Sequence, residues 1–175
     1  SVSMELQKVI NNSGLSAAFN INKTDGTITN IQTGNQIIFS GLDDVEKLKS
    51  ITPAKGAITD IWVEEATETD RASVKQLLKR QRGGDKNTLK RLTLSFNPIL
   101  QTHWIYQDYF AGIGWADGQT QYRDGDKLSI LKTTYKDNRY LTPDDIKDLE
   151  SETDEYFYKV YTLGEWGVLG DVIFK

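Results

Sequence analysis

The stretch Ile58-Thr59-Asp60-Ile61-Trp62-Val63-Glu64-Glu65-Ala66-Thr67-Glu68 decides the fold class. Its apolar run does not alternate, and it ends in two adjacent carboxylates. A run of this kind predicts a strand buried on both faces, as in a parallel sheet. Arg71 to Arg82 follows as a basic amphipathic helix, with Val74, Leu77 and Leu78 at helical spacing, and Gly83-Gly84-Asp85 ends it. Leu92, Leu94 and Phe96 then alternate, which predicts a second strand over Arg91 to Phe96. It runs into Asn97-Pro98, where proline halts regular structure.

Upstream, Met4 to Asn11 reads as a short amphipathic helix, stopped by Asn11-Asn12-Ser13-Gly14. Phe19 and Ile21 predict a strand. Lys23-Thr24-Asp25-Gly26 predicts a hairpin turn, because Asp-Gly tolerates the positive φ that tight hairpins need. Ile28 to Ile31 and Gln36 to Phe39 read as two further strands, with Gly34-Asn35 turning between them. Leu42 to Ser50 reads as a helix with acids at its positive end and lysines at its negative end.

Downstream, Trp104 to Phe110 reads as helical, and the glycine-rich Ala111 to Asp126 as an irregular mobile loop. Leu128 to Tyr135 reads as a strand. Thr142-Pro143-Asp144-Asp145 combines a threonine cap, a proline at the first position and two first-turn acids, and starts a helix that runs to about Ser151. Glu155 to Tyr161 reads as a short helix, Leu163 to Gly167 as a break, and Val168 to Phe174 as a last strand. Short apolar runs and helical segments mixed along the whole chain favour an α/β fold.

Composition sets the outer limits. The 175 residues suffice for one domain with a real core. The net charge of -4 does not announce a nucleic-acid binder, whose usual footprint is a basic face, although one small patch could still touch DNA. The absence of cysteine removes disulfides and thiolate metal sites, and the single histidine, His103, leaves no histidine triad or zinc centre. No apolar run approaches the ~20 residues of a membrane span, and no signal-peptide pattern opens the chain, so a soluble intracellular domain is expected.

Two strand ends carry candidate chemistry. A strand that delivers Glu64 and Glu65 at its C-terminal end places them where open α/β sheets bind ligands. Nucleotide hydrolysis has two acidic tasks there: holding Mg²⁺ against the phosphates and polarising the attacking water. An acidic pair that only caps the next helix is the plainer alternative. Thr93-Leu94-Ser95-Phe96-Asn97-Pro98 also ends in small polar side chains, and Ser95 and Asn97 could bond a terminal phosphate or that water. A simple Ser/Asn/Pro turn is the alternative for these residues.

Taken in order, the acidic strand, the basic helix and the strand ending in Ser95-Phe96-Asn97-Pro98 resemble the large terminase subunits of tailed double-stranded DNA bacteriophages and prophages. Ile38-Phe39-Ser40-Gly41-Leu42-Asp43-Asp44 with Lys47-Leu48-Lys49-Ser50 is similar to a family stretch just upstream. Tyr158-Lys159-Val160-Tyr161 with Leu163-Gly164-Glu165-Trp166-Gly167 is similar to the close of the family's ATPase domain. The resemblance covers nearly the whole chain. It implies an α/β fold with a mostly parallel, partial sheet of the P-loop NTPase (ASCE) type and a small β-hairpin region near the N-terminus. It also implies that residues 1–175 are the C-terminal portion of a terminase ATPase domain.

Under that resemblance Glu64 is the Walker B acid that coordinates Mg²⁺ and Glu65 is the catalytic carboxylate. Ser95 and Asn97 belong to the coupling motif that senses the nucleotide. Glutamate at 64 departs from the aspartate of many ATPases, and its longer side chain suits a water-mediated metal contact. No G-x-x-x-x-G-K-[ST] loop occurs in the chain. The phosphate-cradling loop is therefore expected upstream and a nuclease domain downstream. ATP and Mg²⁺ are expected for the full-length parent, with no tight binding and no hydrolysis by this fragment alone. The implied partners are double-stranded DNA, the small terminase subunit, the portal protein and other copies of the motor subunit, in the cytoplasm of a bacterial host.

Other features have plainer readings. Asp124-Gly125-Asp126 starts like a calcium loop but lacks the later ligands, which favours a surface turn. Arg71, Lys75, Lys79, Arg80 and Arg82 form a stripe that is either a solvated face or a phosphate contact. Trp104, Tyr106, Tyr109, Phe110 and Trp115 favour a core or seam over base stacking. A helicase or recombination ATPase, or a non-catalytic α/β domain with structural carboxylates, remains the alternative reading of the whole.

Overall fold

The computed structural model of the chain describes residues 2–42 and 51–168, in two units. The first comprises Ser1–Val63 and Ala72–Thr93, and the second Glu64–Arg71 and Leu94–Lys175. The expected helix over residues 42–50 and strand over residues 168–174 fall, apart from Leu42 and Val168, outside the described residues.

The first unit opens with α1, Val2–Asn12. Gly14, at φ 70°, ends it: the Gly14 N–H bonds the Asn11 carbonyl at 3.1 Å and the Leu15 N–H reaches back to the Ile10 carbonyl at 3.0 Å. This pairing satisfies the carbonyls that a helix end leaves open. Strands β1 (Phe19–Asn22), β2 (Thr27–Asn30) and β3 (Gln36–Ile38) form an antiparallel sheet in that order. The first turn is built as its sequence predicts. The Asn22 side-chain oxygen accepts the Thr24 and Asp25 N–H groups at 3.0 and 3.1 Å, and Gly26 takes φ 61°. Asn30 does the same for the second turn, accepting from Gln32 and Thr33.

Strand β4 is Asp60–Val63, α2 is Arg71–Leu78 and β5 is Arg91–Leu94; β4 and β5 pair. The Arg91 N–H bonds the Thr59 carbonyl at 2.9 Å, and just past both strands the Ala66 N–H bonds the Ser95 carbonyl at 3.0 Å. The partners ascend together, so this pair is parallel. Helix α2 buries Ser73, Val74 and Leu77, the face its periodicity marks. It stops four residues short of the expected Arg82, because its last turn tightens through Arg80 N–H to Leu77 and Gln81 N–H to Leu78. That turn buries Gln81, whose side-chain amide donates to the carbonyls of Thr59 and Arg91 at 2.9 and 2.8 Å. One side chain thus ties the start of β4 to the start of β5. Burial of β4 on both faces does not hold: Val63 is buried, but Trp62 is 70 % exposed. Among the described residues only β5 lies beside β4.

In the second unit, Trp104 to Phe110 is helical as expected, with a π-helical turn over Tyr106–Phe110. The expected loop over Ala111 to Asp126 is corrected in part. It contains a 3-10 turn, Ala111–Ile113, and strand β6, Gln121–Asp124, which pairs antiparallel with β7, Leu128–Leu131. β6 escaped the sequence reading because Gln-Tyr-Arg-Asp carries no apolar alternation. Asp124-Gly125-Asp126 is its surface turn, with Gly125 at φ 50°. Helix α3, Pro143–Glu150, starts on the predicted cap: Thr142 Oγ1 accepts the Asp145 N–H while the Asp145 carboxylate accepts the Thr142 N–H. Helix α4, Glu155–Phe157, continues into a π-helical turn over Tyr158–Thr162. The buried apolar residues of this unit include Ala66, Ile105, Phe110, Val160 and Trp166. Helices and strands interleave along the chain, as an α/β fold requires, and the described sheets are small.

Candidate functional site

The carboxylate pair begins where β4 stops. Glu65 takes φ 50° and ψ 45°, the left-handed region, and is the one non-glycine residue at positive φ among the described residues. On a continuing strand Glu64 and Glu65 would point to opposite faces. The left-handed turn at Glu65 breaks that alternation, at a local cost of about 1 kcal/mol. The turn is held just below. Ala66 is fully buried, its N–H bonds the Ser95 carbonyl, and the Glu68 N–H bonds the Glu65 carbonyl at 2.9 Å.

Ser95 is half-buried, and Glu64, Glu65 and Asn97 are exposed. Neither glutamate side chain has a hydrogen-bond or ion-pair partner among the described residues. Among those residues no cluster of three acidic or histidine side chains could hold a metal. A cation placed here would find two free carboxylates and would need other oxygens to fill its shell. That donor set fits Mg²⁺, which keeps several waters and binds through one or two carboxylates plus substrate phosphates.

Residues to which the sequence reading gave no part in the site hold the far end of the carboxylate loop. Thr69 Oγ1 donates to the Ala66 carbonyl at 2.7 Å, and Trp104 Nε1 donates to the Thr69 carbonyl at 2.8 Å. Arg71 makes a two-pronged contact with Asp108, at 2.8 and 2.7 Å. This ion pair takes Arg71 out of the basic stripe. Burial pulls the His103 imidazole below its ordinary pKa, against an opposing bond to the Thr67 backbone, so the neutral ring is favoured beside this loop. Only a fold brings positions so distant in sequence together, and no spacing rule marks them.

The other strand end is anchored through Phe96. Its ring meets Phe110 edge-on at 6.3 Å and lies 5.6 Å from Trp166. Tyr106 and Trp115 join the same cluster through Phe110, as expected of a core rather than a stacking platform. A cleft of about 630 Å³ lies elsewhere, lined by Lys132, Lys136, Lys159 and Glu165 among others, and contains none of the predicted site residues.

The fold places two strand ends side by side, one bearing free carboxylates and the other bearing small polar groups. Comparison with solved structures assigns it to a class. It is similar to the large terminase of a thermophilic bacteriophage, with a TM-score of 0.65 at 19% identity, over 92% of this chain and 36% of that one. The same phage protein in complex with ADP gives a TM-score of 0.62, over 93% and 36% of the two chains. The fold is thus that of a large terminase.

Residues 1–165 match the family described as phage terminase large subunit, and the chain belongs to that family. It is 28% identical to the PBSX phage terminase large subunit of Bacillus subtilis (strain 168) over 150 residues, which cover 78% of this chain and 33% of that protein. It is 37% identical to the terminase large subunit of Bacillus phage SPP1 over 68 residues, 39% of this chain and 16% of the other. The matched part of this chain therefore spans about a third or less of these relatives.

Proposed function

We propose that this chain supplies the acidic strand and the coupling strand of an ATP-hydrolysing motor that moves viral double-stranded DNA into a procapsid. The observation that carries the reading is the main-chain bond from Ala66 to Ser95. It joins the turn that bears Glu64 and Glu65 to the strand end that bears Ser95 and Asn97. The parallel β4–β5 pair is the piece of a P-loop NTPase sheet on which such a site stands. The similar phage terminase, solved with ADP and with ATP-gamma-S, supports a nucleotide as the ligand of the class.

In this reading residues 1–175 are the C-terminal portion of an ATPase domain within a longer protein. The phosphate-cradling glycine-rich loop is not among these residues, so tight ATP binding belongs to the longer protein. Bound Mg²⁺ would neutralise charge on the phosphates. Glu64 would hold it through water. Glu65, with no competing partner, would orient the attacking water and accept its proton. Ser95 and Asn97 would bond the terminal phosphate and register its loss. The partners are double-stranded DNA, the small terminase subunit, the portal and further copies of the motor subunit, in the cytoplasm of the bacterial host.

The test is turnover in the longer protein. Glu65→Gln keeps ATP binding and lowers kcat by about a hundredfold or more, because it removes the proton acceptor without changing the side chain's size. Glu64→Ala weakens Mg²⁺-dependent nucleotide binding. Wild-type ATPase activity in both variants would refute the assignment.

A further inference from the structure

Trp166 is 3% exposed and sits at the centre of the aromatic cluster, with Phe96 at 5.6 Å, Tyr106 at 5.3 Å and Phe110 at 5.1 Å. Phe96 is the residue between Ser95 and Asn97, so the ring of Trp166 lies directly against the strand end that carries both polar groups. The residues flanking Trp166 are fixed independently. After it, the Gly167 N–H bonds the Ile99 carbonyl at 2.6 Å, and the Gly167 carbonyl accepts the Gln101 N–H at 3.0 Å. These bonds make a parallel bridge between Gly167 and Leu100, just beyond Pro98. A side chain at 167 would stand 2.6 Å from Tyr156 Cε2 and 3.0 Å from the Ile99 carbonyl, so glycine lets the two segments approach.

Before it, Glu165 is buried and accepts from Lys132 Nζ and from the Gly118 N–H. Its second oxygen, Oε2, has no partner within the chain's own described atoms. A buried carboxylate left half-satisfied is unfavourable unless its surroundings hold it there. The segment Glu165-Trp166-Gly167 is therefore tied to the β6–β7 region through Glu165, to the helical segment 104–110 through Trp166, and to the strand end through both Phe96 and Gly167. The sequence reading treated Leu163 to Gly167 only as a helix break and a family marker.

We infer that Trp166 is a positioning residue that couples the Ser95–Asn97 strand end to the segment carrying Glu165 and Gly167, and so transmits nucleotide state to the rest of the motor. The inference rests on the reading of Ser95 and Asn97 as nucleotide sensors. Trp166 touches neither nucleotide nor metal in this account. It acts through Phe96, whose backbone any shift of Ser95 and Asn97 must carry along. Packed aromatic clusters transmit such shifts because they do not deform continuously.

The experiment uses the longer packaging protein and measures three quantities: KM for ATP, kcat, and base pairs moved per ATP hydrolysed. Trp166→Ala is expected to leave KM within about twofold and retain most of kcat, while lowering the DNA moved per ATP at least tenfold. Phe96→Ala is expected to give the same split, and the double variant to fall no further than either single one. Trp166→Phe, which keeps an aromatic ring in the cluster, is expected to restore much of the coupling. Phe96→Ala carries the test if Trp166→Ala does not fold.

Hydrolysis and transport falling in equal proportion in the two alanine variants, or both staying at wild-type values there, would overturn the inference. Glu65→Gln, assayed in parallel, separates the two claims. If it leaves turnover intact, the site assignment fails. If it abolishes turnover while the Trp166 variants keep full coupling, only the coupling role fails.

Discussion

Glu65 carries a backbone strain that the role proposed for it would explain. A glutamate at φ 50° stands where glycine would be at ease, in a chain that uses glycine at its other described positive-φ positions. The strain turns the carboxylate out of the alternation of β4. Glu65→Gly should therefore raise the stability of the protein by about 1 kcal/mol, read as a higher melting temperature, while removing turnover. A melting temperature unchanged or lowered would show that the side chain at 65 has a structural use. Glu64, Glu65, Ser95 and Asn97 were legible in the sequence as candidates, because strand ends of open α/β sheets are where ligands bind. The conformation of Glu65 was not legible, because nothing in Val63-Glu64-Glu65-Ala66 asks for a left-handed residue. It follows from the pull of the Ala66–Ser95 bond on a chain that must leave its strand.

At the scale of elements, the turns and caps were the most readable. Asn22, Asp25 and Gly26 build the first hairpin turn, and Thr142, Pro143 and Asp145 start α3, each through a bond that the residue type itself supplies. What local chemistry does not determine was read less well. β6 is a strand only because β7 offers a partner, and α2 ends early because Gln81 is worth more to the sheet than to the helix. The Gln81 amide serves two strand carbonyls, so Gln81→Leu, which keeps the bulk and removes the donors, should destabilise the protein by about 1–2 kcal/mol in chemical denaturation. The exposed neighbouring change Lys79→Ala should stay within about 0.5 kcal/mol. Equal effects from the two would mean that the amide does not hold β4 to β5.

At the scale of the whole molecule, charge and composition say little about the work done. A net charge of -4 neither points to DNA nor forbids it, since one small basic patch is enough to touch DNA. Among the described residues no helix is long and apolar enough to cross a membrane. Trp62, expected inside a sheet, is exposed on β4, because an apolar run signals burial without saying which neighbours provide it. The order of acidic strand, basic helix and polar-ended second strand carried the family resemblance, and the family match agrees with it.

The most direct test of that reading is a crystal structure of the longer protein with Mg²⁺ and a slowly hydrolysed ATP analogue. The account predicts the Glu64 carboxylate facing the water shell of the metal, Glu65 beside the water in line with the terminal phosphate, and Ser95 and Asn97 within hydrogen-bond reach of that phosphate or water. A nucleotide bound away from these four residues, with Glu64 and Glu65 still facing solvent, would contradict it.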